Sequence, residues 1–149
     1  MRHVLVTATF GLSLLVLVSG CATVEYGTRV SVEGGVYRSI SPEELGRMLK
    51  AKDFFLVNVH VPYAGEIEQT DAFISYKDTA ARIEDYPRSR SAKIVVYCLT
   101  NGMSSIVVRQ LVKEGFGNIY MLDGGMTAWR KAGFPLLDRR AATSGIFFI

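Results

Sequence analysis

Several things that would narrow a function are scarce in this 149-residue chain. Two cysteines are too few for a disulfide-stapled scaffold or a four-thiolate zinc site. Of two histidines, one is His3, so no His/Cys cluster remains to ligate a metal. Neither a metal nor a cofactor is expected. The basic excess, 17 Lys and Arg against 14 Asp and Glu, is too weak to argue for nucleic acid. No apolar run reaches the roughly 20 residues that a spanning helix needs. There is no internal repeat and no low-complexity segment.

The N-terminus accounts for one cysteine. A short basic start, Met1-Arg2-His3, precedes a mostly apolar stretch from Val4 to Val18, and then Val18-Ser-Gly-Cys21. This pattern reads as a secretory signal (residues 1–20) with small residues before the cut. Val-Ser-Gly-Cys also resembles a bacterial lipobox, which implies lipidation at Cys21. The protein is therefore expected to be lipid-anchored and to face the periplasm or the cell exterior. Ala22 follows the cysteine where an Asp often retains lipoproteins in the inner membrane, so an outer membrane is favoured if the cell has one. Losing Arg2 with the signal lowers the formal net charge from +3 to +2.

Residues 21–38 read as a lipidated N-terminus and linker. Within it, residues 22–35 lack helical periodicity and end in Gly-Gly, as a tether would. Residues 39–138 remain for one domain, about 100 residues, enough for one layered core. Residues 139–149 form a C-terminal tail. Its end, Gly145-Ile-Phe-Phe-Ile149, is apolar enough to pack on the domain or to touch a membrane.

Across the domain, strand and helix signals alternate. Val36 to Ile40 is a short strand candidate. Ser41-Pro-Glu-Glu44 is a capping box with proline at the first helical position, opening a helix to about Lys52. Phe54 to His60 reads as a buried strand, and Asp78 to Tyr86 as a short helix stopped by Pro87. Ile94 to Cys98 is a second apolar strand. Ser104 to Glu114 is a helix with Ile106, Val107, Leu111 and Val112 for its inner face, closed by Gly115. Asn118 to Leu122 is a third core strand, and Thr127 to Ala132 a last helix, closed by Gly133. Apolar strands separated by helices predict a small parallel sheet with helices on both faces. The binding crevice of such sheets lies outside the C-terminal strand ends, where Cys98 falls.

Cys98 is the only cysteine left free in the mature chain. It ends a strand, and Leu99-Thr-Asn-Gly-Met-Ser104 leads straight into a helix. A thiol facing the N–H groups of a helix start is a site that lowers a thiol pKa and holds an anion. Asn101 and Gly102 suit the positive φ angles of a tight cradle.

Three segments carry a family resemblance. They are Phe55-Leu-Val-Asn-Val-His60 with Gly65-Glu-Ile67, the strand-Cys-loop-helix unit at 94–114, and Leu122-Asp-Gly-Gly-Met-Thr-Ala-Trp129 followed by Gly133-Phe-Pro135. In this order and spacing, residues from about Ser39 to Leu137 resemble a rhodanese-like domain. The resemblance implies a sulfurtransferase: the Cys98 thiolate takes sulfur from a donor as a persulfide, and an acceptor removes it. It makes Cys98 catalytic, and Leu99, Thr100, Asn101, Gly102, Met103 and Ser104 substrate-binding. The implied partners are a small sulfur-containing donor (polysulfide, persulfide or thiosulfate), a thiol or cyanide acceptor, and a possible partner protein.

The departures from the family pattern bear on the donor. Family members often carry a basic residue after the cysteine and an Arg closing the loop, where this chain has Leu99 and Met103. The usual Asp and Arg of the first signature are Asn58 and His60. Without those cations, a less charged donor than thiosulfate is expected, and Met103 can act as a lid. A non-catalytic sulfur carrier or sulfur-responsive binding module is the alternative. A phosphatase use of the fold wants Cys-x5-Arg, and the residue six after Cys98 is Ser104. His60 reads as a structural partner and Trp129 and Gly124-Gly125 as packing and turn residues. Asp71 and Glu66 read as solvated loop carboxylates.

Overall fold

A computed structural model describes residues 25–139. The signal segment, Cys21 and the apolar tail lie outside the described residues.

The elements, in chain order, are β1 (Thr28–Val32), β2 (Gly35–Ile40), α1 (Pro42–Leu49), β3 (Phe55–Asn58), β4 (Ala72–Phe73), β5 (Ile94–Tyr97), α2 (Gly102–Lys113), β6 (Ile119–Leu122) and α3 (Gly125–Lys131). The strands form one sheet in the order β1-β2-β6-β5-β3-β4. Strands β2, β6, β5, β3 and β4 run parallel, and β1 returns antiparallel to β2 at the edge. The expected α/β architecture is present, with a mixed sheet in place of a purely parallel one.

Two apolar layers explain why the central strands are apolar at every position. Alternate side chains point to opposite faces. Ile94, Val96, Ile119 and Met121 pack on one face with Val107, Val108, Leu111 and Val112 of α2. Val95, Tyr97, Tyr120 and Leu122 pack on the other with Leu45 and Met48 of α1 and Met126 and Trp129 of α3. Both faces are covered by helices, as read from the sequence. On α2, Ile106 departs from the expected inner face: it is 50% exposed, and Ser104 and Val108 are buried instead.

The capping box at α1 is formed. Ser41 Oγ accepts from Glu44 N at 3.2 Å, and Glu44 Oε2 accepts from Ser41 N at 2.8 Å. The other Glu44 oxygen accepts from Gly27 N at 2.9 Å, tying the segment before β1 to the helix.

Three segments differ from the sequence reading. Part of the expected linker is folded: Thr28–Val32 pairs with Gly35–Ile40 across a two-residue turn, with Gly34 at φ +86°. Val30 and Val32 pack against the core, which a solvated tether cannot do. The strand β4 has no counterpart among the expected elements. It is two residues long, and Asp71 holds it against β3 by accepting from Leu56 N at 2.7 Å and pairing with Lys52 at 2.6 Å. The segment 78–86 is not a helix: it makes one helical turn bond, Arg82 N to Asp78 O, then a 3-10 turn at Ile83–Asp85. Its side chains Thr79 and Tyr86 are buried and share a 3.4 Å hydrogen bond that anchors the turns individually.

Candidate active site

The parallel strands β3, β5 and β6 end together, and the connections leaving them form the site. Cys98 follows β5 directly, is 1% exposed, and belongs to the core layer on the α2 side. Its thiol donates to the Thr100 carbonyl at 3.1 Å. The sulfur accepts from Ser104 N at 3.4 Å and lies 3.4 Å from Ser104 Oγ. Residues 98–104 thus fold around the sulfur, with the first turn of α2 reaching it. Among the described residues, the N–H groups of Leu99 through Met103 donate to no protein acceptor. They are available to an anion that enters the loop.

Asn101 does a different job from the one expected. Its φ is −111°, and Gly102 is not among the positive-φ glycines either, so the loop needs no left-handed residue. The Asn101 amide reaches across to the β6–α3 turn instead. Nδ2 donates to Asp123 Oδ1 at 2.8 Å, and Oδ1 accepts from Gly124 N at 2.7 Å. Both ends of the amide are committed, which makes Asn101 a positioning residue.

The diglycine turn grips the loop from behind. Met126 N donates to Cys98 O at 2.9 Å, and Thr127 N donates to Leu99 O at 3.0 Å. Gly124 and Gly125 have φ of +68° and +56°. A Cβ on Gly125 would sit 2.3 Å from Cys98 O and 2.4 Å from Thr100 O. Only glycine lets α3 begin this close to the sulfur loop. A glycine pair just before a helix was the sequence signal for this approach.

The wall beyond β3 comes from residues 58–70. Asn58 Nδ2 donates to Gly65 O at 3.1 Å, and its Oδ1 accepts from His60 N at 3.0 Å. The His60 ring is largely buried, and that burial lowers its pKa from the ordinary 6.5. Tyr97, one residue before the cysteine, clamps the same wall. Its hydroxyl accepts from Ile67 N at 3.1 Å and lies 2.7 Å from Thr70 Oγ1, which itself donates to Ile67 O. Burial pushes the Tyr97 phenol well above its ordinary range, so it stays protonated and can donate to Thr70.

Glu66 is not a solvated carboxylate, whereas Asp71 is exposed as expected, with Lys52 paired to it. Glu66 is 4% exposed, accepts from Tyr63 Oη at 3.3 Å and is ion-paired with Arg139. Its backbone exchanges two 2.8 Å bonds with Leu137, stitching the C-terminal stretch to this wall. Asp71 sits beside Leu56, near the start of β3 and away from the strand ends. Trp129 is a packing residue: Nε1 donates to Pro135 O at 2.8 Å, and its ring stacks on Phe134 at 4.3 Å.

The loop ends differ in setting. Leu99 is 40% exposed. Met103 is half-buried and packs against the same core layer as Cys98. No described cation lies within the loop. Those nearest in the surrounding cavity are Arg130 and Lys131, in the last turn of α3.

A two-faced α/β sheet carrying a strand-end cysteine wrapped by its own loop defines the class. The family follows from the comparison of sequences. The family model of the Rhodanese-like domain matches residues 41–132, and the chain belongs to that family. It is 29% identical over 110 residues to an uncharacterised protein of Synechocystis sp., covering 72% of this chain and 60% of that protein. It is 28% identical over 105 residues to the thiosulfate sulfurtransferase GlpE of Coxiella burnetii, covering 69% of this chain and 95% of that one. The fold is similar to the crystal structure of a rhodanese-related protein from Thermoplasma volcanium, with TM-score 0.59 and 25% identity over 68% of this chain and 98% of that chain. The chain is thus sulfurtransferase-like in class.

Proposed function

We propose that this protein is a sulfurtransferase whose Cys98 carries sulfur as a persulfide. The observation that carries the reading is the enclosed strand-end thiol, with Ser104 N–H on the sulfur and free loop N–H groups around it. In the first half-reaction the Cys98 thiolate attacks the outer sulfur of the donor. The Sγ–S bond forms, the donor's own bond to that sulfur breaks, and its electron pair leaves with sulfite or with the shortened polysulfide. In the second, a thiolate or cyanide attacks the terminal sulfur, and the electron pair of the Sγ–S bond returns to Cys98. Ser104 and the loop amides stabilise the terminal anionic sulfur. With Leu99 and Met103 at the loop ends, polysulfides and persulfides are better donors than the dianion thiosulfate. Steady-state transfer to cyanide with both donors tests this. Equal use of thiosulfate and polysulfide would contradict the donor assignment, and transfer that survives Cys98→Ser would contradict the mechanism.

The apolar loop ends also support a second reading, a carrier that loads sulfur and releases it only to a docked partner. That reading expects loading without turnover on small acceptors. We further propose that Cys21 is lipidated and holds the domain on a bacterial membrane, facing outward. Cys21→Ala should abolish acyl labelling and leave the precursor unprocessed, and unchanged labelling would refute it.

A further inference from the structure

The edge strand β1 reverses the path by which the chain reaches its sheet. A linker running directly into β2 would arrive at the N-terminal end of that strand, opposite the sulfur loop. Because β1 is antiparallel to β2, the chain arrives at the other end. Thr28 pairs with Ser39, Ser39 with Met121, and Met121 with Val96, two residues before Cys98. β1 and β5 are three strands apart, about 14 Å. Contacts join the two places. A Cβ on Gly27 would meet Ser39 O and Ile40 Cγ2 at 2.7 Å, so the chain runs hard against the end of β2. Ile40 O accepts from Asp123 N at 2.9 Å, and Asp123 Oδ1 accepts from Asn101 of the sulfur loop at 2.8 Å. Glu44 and Arg38 fix this root of β1. Glu44 accepts from Gly27 N, and Arg38 Nη1 donates to the Tyr26 and Gly27 carbonyls at 3.3 Å.

The same end of the sheet exposes apolar side chains. Leu99 follows β5 and Phe73 closes β4, and each is 40% exposed. Val59 N donates to Tyr97 O at 2.9 Å and Tyr76 N to Val59 O at 3.2 Å, so the segments after β3, β4 and β5 emerge side by side.

We infer that this strand-end face, with Leu99 and Phe73 on it, is the surface the domain turns to the lipid bilayer, so that Cys98 exchanges sulfur at the membrane. The inference rests on the lipid anchor at Cys21 proposed above. Cys21 and Glu25 are four residues apart, a span of at most about 14 Å. A lipid on Cys21 therefore keeps the root of β1 close to the bilayer surface, and the sulfur loop lies at the root's end of the sheet. Turning Leu99 and Phe73 to the lipid also removes apolar surface from water, which favours this orientation over its reverse.

The test uses the full lipidated chain in vesicles of phosphatidylethanolamine and phosphatidylglycerol that contain a lipid with a headgroup nitroxide. A Cys98→Ser background carries one added cysteine at a time, labelled with a fluorophore, so the result is independent of sulfur chemistry. Leu99→Cys and Lys77→Cys, at exposed positions, report the strand-end face, and Lys77→Cys leaves both apolar side chains in place. Ser91→Cys, also at an exposed position, reports the far end, up to about 25 Å away along the strands. The labels at positions 99 and 77 should lose most of their emission, and the label at position 91 should keep nearly all of it. Equal quenching at the two ends would overturn the inference, as would stronger quenching at position 91. Protein with no acyl group on Cys21 that stays off the vesicles would show that the anchor itself has failed, and this orientation falls with it.

Discussion

Replacing Gly125 by alanine should damage the sulfur loop without touching the sulfur. The backbone at Gly125 has φ +56°, which costs an L-residue about 1–2 kcal/mol. The added Cβ would also stand 2.3 Å from Cys98 O, 2.4 Å from Thr100 O and 2.8 Å from Leu99 C. All three are backbone atoms, so no side-chain rotation relieves the contact. The loop or the start of α3 must move, and the bonds from Met126 N and Thr127 N to the loop carbonyls are lost or stretched. At about 0.5–1.5 kcal/mol each, the two bonds bring the expected loss to about 2–5 kcal/mol. Gly115 supplies an internal control. It has φ +86° and open space where an added methyl would stand, with nothing within 4 Å, so Gly115→Ala should show the strain alone, about 1–2 kcal/mol. Urea unfolding of both variants gives the difference, and the rate of persulfide formation shows whether the loop moved. If Gly125→Ala loses no more stability than Gly115→Ala and loads sulfur as fast, the diglycine turn does not hold the loop as argued.

Asn101→Ala removes two hydrogen bonds and leaves Gly124 N–H without its acceptor, so it should cost about 1–3 kcal/mol in urea unfolding. Met103→Arg should raise kcat/KM for thiosulfate about ten- to a hundredfold, because a charge-assisted hydrogen bond to the donor is worth about 1.5–3 kcal/mol; steady-state kinetics with thiosulfate and polysulfide checks it. His60 has a folded pKa below its ordinary 6.5, so the folded state favours the neutral ring and the unfolded chain takes up the proton first. Its contribution is therefore present above about pH 6.5 and lost as pH falls toward the folded value. Unfolding at about pH 7.5 and about pH 5.5 should show a smaller acid loss in His60→Asn than in the unmodified protein.

The elements most legible in the sequence are those whose stability is written locally or in their period. The capping box at Ser41 and the glycine closures at Gly115 and Gly133 mark helix ends wherever they occur. Wholly apolar Ile94–Tyr97 and Ile119–Leu122 reflect burial on both faces. The strand at Thr28–Val32 also had a signal, the alternation of Val30 and Val32 with Arg29 and Ser31, but Gly34-Gly35 read as flexibility, whereas Glu33-Gly34 is a hairpin turn and Gly35 opens β2. Ala72–Phe73 had none, because two residues become a strand only when β3 and the Asp71 carboxylate are already in place. At the site, Cys98 and its loop were legible from the strand-to-helix junction. The roles inside the loop were not, since Asn101 is fixed by Asp123 and Gly124, 22 and 23 positions on.

The most direct test is the intact mass of the full chain after polysulfide treatment, compared with Cys98→Ser. The account predicts a gain of one sulfur atom in the unmodified protein, its removal by cyanide, and no gain in the variant. An identical sulfur gain in both proteins, or none in either, would contradict it.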